Sequence, residues 1–122
     1  MRAIRQRRGQ QKFRDNLVKR HGACQVTGCR ILDVLEAAHI NSYRGEKDNH
    51  VSNGLLLRAD IHTLFDLDLL GIDPDTLTIW LAESVVNEYR HQVKPTLLCR
   101  HGTKPSKAAL KKRYDRFKHF NY

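Results

Sequence analysis

The feature that most constrains this chain lies in its middle. Residues 31–40 are mostly apolar, and so is the short run Leu55-Leu56-Leu57. Between them lies the polar stretch 41–54, with Gly45, Gly54 and three Asn. Apolar segments this short read as strands, and a polar stretch rich in Gly and Asn reads as an exposed, irregular loop. Ile61, Leu64 and Phe65 follow at i, i+3 and i+4, the buried stripe of a short helix, and Asp60 suits its N-cap. The centre therefore predicts strand, long loop, strand and short helix.

Weaker signals flank it. Phe13 and Leu17, spaced i and i+4 among basic residues, predict a helix over 8–20, stopped at His21-Gly22, with His21 a cation favoured at the helix C-terminus. Residues 24–29 read as a short strand or turn. The turn Asp73-Pro74-Asp75-Thr76 between apolar pieces predicts a hairpin over 70–81. Pro105-Ser106 opens a last basic helix with Leu110, Tyr114 and Phe117 inward. The fold class expected is α+β, a single domain over 1–122. Its core spans about 22–73, with basic helical extensions at 1–21 and 103–122.

Charge is distributed unevenly. Residues 1–20 carry eight Lys/Arg against one acid, and residues 103–122 carry seven against one. The remaining 82 residues hold seven Lys/Arg and eleven acids, so an acidic centre lies between basic ends. Clustered cations supply affinity for a phosphate backbone by counterion release. An acidic centre in such a chain is explained by a divalent cation between carboxylates and phosphate. No apolar run approaches 18 residues, so no membrane span is expected. The charged N-terminus is not followed by an apolar leader segment, and three Cys is an odd count. Both features point to a reducing, cytoplasmic setting.

Three polar residues stand at the joints of the central pattern. His39 is near the end of the first strand, Asn53 closes the loop, and His62 lies in the first turn of the helix. The segments LEAAHI and NGLLLRADIHTLFD resemble the HNH endonuclease family, whose core is a ββα-metal finger. The resemblance covers about 22–73. The lead-in RRGQQKFRDNL with CQVTGC is similar to HNH domains of modification-dependent restriction enzymes. The resemblance implies a general base at His39, which suits imidazole because it titrates near working pH. It implies that Asn53 holds the loop and orients His39, and that His62 binds the metal.

Spacing adds Asp66, which shares a helix face with His62 at i, i+4 as a half-site for a divalent ion. Relatives often carry Asp or His just before the base, where this chain has Ala38. Glu36, two residues back on the same strand face, is the expected substitute. Arg44 and Arg58 flank the motif as candidate phosphate contacts; Arg58 reads equally as a plain surface residue.

The expected cofactor is a divalent metal, Mg²⁺ first, with Mn²⁺ or Ni²⁺ as alternatives. Structural Zn²⁺ is not favoured: Cys24 and Cys29 are irregularly spaced, and Cys99 with His101 completes a set only if the chain returns there. The expected substrate is double-stranded DNA. A homodimer would suit cleavage of two strands, although no interface is legible. Two other readings stay open: a nucleic-acid-binding module without catalysis, motivated by Ala38, and a structural zinc domain binding RNA or protein.

Overall fold

The computed structural model describes residues 2–41 and 49–122. A long helix, α1 (Arg2–His21), leads into a turn over 24–29 and then a hairpin of β1 (Leu35–His39) and β2 (Gly54–Arg58). Helix α2 (Ala59–Asp66) follows directly. A second hairpin, β3 (Leu70–Ile72) and β4 (Ile79–Leu81), precedes α3 (Glu83–Tyr89) and the C-terminal α4 (Lys107–Asn121). The protein is α+β, with two small antiparallel sheets and the ββα order expected at its centre.

Helix α1 ends where its sequence requires. Gly22 adopts φ +69°, open to glycine at little cost, and its N–H reaches the Val18 carbonyl at 2.8 Å. His21 departs from expectation. Burial, then the neighbouring Arg20, push its pKa down to about 4, so it is neutral near pH 7 and not a helix-end cation.

Two local expectations need correction. The strand predicted over 31–40 is confined to Leu35–His39, because residues 32–34 form a 3₁₀ turn with Leu32 and Val34 exposed. Apolar residues alone do not make a strand there, since β2 offers partners only from Leu35 onward. Asp60 is not the N-cap of α2; that position is Arg58, with no side-chain cap. Asp60 sits in the first turn, where its carboxylate accepts from the Ile61 N–H and the Arg58 guanidinium. Helix α3 was not expected from the sequence; it carries no fully buried residue, and its Val85 and Tyr89 pack only partly buried against the core.

The β1–β2 register runs from Leu35 opposite Arg58 to His39 opposite Gly54. Phe13 and Leu17 of α1 rest directly on Gly54. A Cβ there would lie 2.5 Å from Phe13 Cζ and 2.8 Å from Leu17 Cδ1. On the other sheet the Phe117 ring of α4 covers Gly71 in the same manner. The buried residues of α1, both hairpins, α2 and α4 form one apolar cluster.

A methyl group at Gly54 has no space unless α1 moves. Gly54→Ala should therefore cost about 1–3 kcal/mol by overpacking, read as a lower urea midpoint at unchanged slope.

Candidate active site

His39 is the last residue of β1, and two contacts fix its ring. One face stacks on Phe13 of α1, with ring centroids 4.3 Å apart and planes 13° off parallel. Nε2 lies 2.8 Å from Asn49 Oδ1, a carbonyl oxygen that can only accept. In the neutral ring Nε2 is therefore the nitrogen that donates this bond.

Asn53 clamps the chain just beyond His39. Its Oδ1 accepts from the Asn41 N–H at 2.9 Å, and its Nδ2 donates to the Asn41 carbonyl at 3.2 Å. Its own carbonyl accepts from the Ile40 N–H at 2.9 Å. The residue closing the loop thus binds both backbone groups at the point where the chain leaves β1.

His62 projects from α2 towards β1. Its Nδ1 lies 2.8 Å from Glu36 Oε1, and its Nε2 lies 3.2 Å from Asp66 Oδ2. Both carboxylates named from the sequence therefore meet this one imidazole, on opposite nitrogens. The His62 side chain is half-buried, at 24% exposure, and both carboxylates are more than half exposed. Ala38 is fully buried and offers no donor atom.

Imidazole nitrogen and carboxylate oxygen are both donors that divalent cations accept. Among the described residues no group of three or more His, Cys, Asp or Glu side chains is placed to hold a metal ion.

Two residues that sequence spacing did not reveal belong to this region. Asn49, ten positions from His39, lies in a stretch that read only as polar loop. Arg113, on α4, read as one cation of a basic face. Its guanidinium instead turns inward over the Phe65 ring, 4.1 Å from the centroid. It donates to the Ile40 carbonyl from Nη1 and to the Phe65 carbonyl from Nη2, each at 2.8 Å. Asp66 Oδ1 lies 3.7 Å from Nη2. Arg113 thereby ties the residue after His39 to the end of the helix that carries His62 and Asp66.

The remaining candidates are dispersed. Arg58 is held by Asp60 in a bidentate pair at 2.7 and 2.9 Å, and by Gln92 at 2.6 Å. The Arg58 guanidinium, and next the Tyr89 hydroxyl, hold the Asp60 carboxyl below its ordinary range against the opposing effect of burial. Arg44 lies outside the described residues. Cys24 Sγ accepts from the Thr27 and Arg58 N–H groups, and burial raises the Cys99 thiol pKa.

Residues 24–73 match the family model described as HNH endonuclease. Over this segment the chain is similar to the HNH endonuclease family. The matched segment, somewhat under half of the chain, holds His39, Asn53, His62, Glu36 and Asp66. HNH domains are nuclease modules, which act on nucleic acid with a divalent metal. A comparison with curated proteins finds no match. Phe13 and Arg113, which pack against or brace the HNH core, lie outside the matched segment on α1 and α4.

Removing Arg113 leaves two backbone carbonyls without their charged donor. Arg113→Ala should lower stability by about 2–4 kcal/mol in urea titration. Arg113→Lys, with a single ammonium in place of the fork, should recover only part of that loss.

Proposed function

We propose that the protein is a divalent-metal-dependent DNA endonuclease, hydrolysing phosphodiester bonds with His39 as general base. The observation that carries this reading is the convergence of Glu36 and Asp66 on His62, with Glu36 on the same strand that ends in His39. Mg²⁺ is the proposed ion, with Mn²⁺ or Ni²⁺ as substitutes.

The two contacts of His62 divide the labour between the carboxylates. The shorter, Nδ1 to Glu36, suits a donated hydrogen bond that fixes the ring. Nε2, with Asp66 beside it at i+4, is then the edge that binds the cation. Glu36 acts as the outer carboxylate and takes no direct place in the coordination. Bound there, the cation would neutralise charge on the scissile phosphate and stabilise the leaving oxygen.

His39 Nδ1 takes the proton from the attacking water, while Asn49 and Phe13 hold the ring still. Asn53 fixes the backbone behind it. Arg44 and Arg58 are the proposed phosphate contacts; Arg58 would act as part of its pair with Asp60. The basic α1 and α4 add affinity that falls with salt. Double-stranded DNA is the proposed target, and the N-terminal likeness to modification-dependent restriction enzymes makes modified DNA a natural first comparison.

Supercoiled plasmid supplies the test. The protein should nick it with Mg²⁺ or Mn²⁺ and not with EDTA. His39→Ala should slow nicking by about 10²–10⁴-fold while DNA binding persists. Wild-type rates in a folded His39→Ala protein would overturn the mechanism. Salt-sensitive binding without nicking under any metal would instead favour a binding module, consistent with the missing donor at Ala38.

A further inference from the structure

A second concave surface lies away from the matched HNH core. Strand β4, helix α3, the loop at 90–95 and the end of α4 enclose an open groove of about 650 Å³. That is within the roughly 300–1,000 Å³ usual for ligand sites. Its floor is apolar, with Leu81, Val86 and Pro95 among the lining residues. Trp80, the chain's single tryptophan, lines it while 44% exposed. Tyr122, 79% exposed, lines it as well and meets the Phe117 ring edge-on at 6.2 Å.

Among the described residues, the charged side chains lining it are those of Arg90 and Lys94, both exposed, and no Asp or Glu side chain lines the groove. Neither cation is drawn into the ion pairs that engage Arg58 or Arg116. An exposed indole, a second ring and two cations together match the chemistry of a nucleotide: a flat π surface for the base and positive charge for the phosphates. A purely apolar occupant would leave both cations unused.

We propose that this groove is a subsite for single-stranded nucleic acid, a reading that rests on nucleic acid being the substrate of the HNH site. A base stacks on Trp80 with Tyr122 at its side, and Arg90 and Lys94 hold the flanking phosphates. Such a subsite would retain a frayed or displaced strand beside the duplex being cut.

Because Trp80 is the only tryptophan, its fluorescence reports on this groove alone. Hexathymidylate titrated into the full chain in EDTA, where no cleavage occurs, should quench that emission, with affinity falling as salt rises. The double variant Arg90→Ala/Lys94→Ala, at two exposed positions, should bind about tenfold more weakly. Anisotropy of a labelled hexathymidylate should show a similar loss for Trp80→Leu and near-normal binding for Trp80→Phe. Absence of quenching at saturating oligonucleotide, in a protein that still nicks plasmid with Mg²⁺, would overturn the subsite and leave the nuclease reading intact. Unchanged affinity in the double variant would overturn it too, as would quenching that follows protein concentration without oligonucleotide, which would mean that a second copy covers the groove.

Discussion

The pairing of β1 with β2 is the constraint on which the rest depends. The side-chain period of a strand is two, so a slip of one residue would send each β1 side chain to the wrong face. In the observed register Glu36 meets His62, and His39 meets Phe13. The same register sets Gly54 opposite His39. Only a residue without Cβ lets Phe13 and Leu17 settle there, so the glycine that starts β2 also makes room for the ring that stacks on His39.

Around this hairpin the two basic ends of the chain do different work. Helix α1 supplies the ring that stacks on His39. Helix α4 turns Arg113 inward to join the exit of β1 to the end of α2. Other cations of α4 are engaged nearby: Arg116 with Asp68, Lys107 with Asp75, and Lys111 with Asp115. The C-terminal extension is therefore part of what holds the HNH core in shape as well as a source of positive charge. Exposed pairs such as Lys111–Asp115 add little stability in themselves. The inward guanidinium is a different case, because it satisfies two backbone carbonyls.

What the sequence disclosed follows from distance along the chain. The short helix, the hairpin turn and the opening of α4 at Ser106 rest on contacts within a few residues, and spacing reveals such contacts; the two strands pair across the loop and were legible from their short apolar runs. The i, i+4 pairing of His62 with Asp66 was legible for the same reason. Glu36 was legible only through strand alternation and a resemblance, since 26 positions separate it from His62. Arg113 lies 73 positions from Ile40 and 48 from Phe65, beyond any local pattern, and its residue type matched the basic face it departs from. The early part of 31–40 misled because its apolar residues had no strand partner, and helix propensity without a buried stripe left α3 unannounced.

The central claim is that His62, with Asp66, forms the metal-binding edge beside the base His39. Paramagnetic Mn²⁺ titrated into the protein and followed through the histidine ring resonances in NMR tests it most directly. The account predicts that the His62 signals broaden first, those of His39 next, and those of His21 and His91 last. Broadening that begins at His21 or His91, or none at His62 at millimolar Mn²⁺, would contradict it.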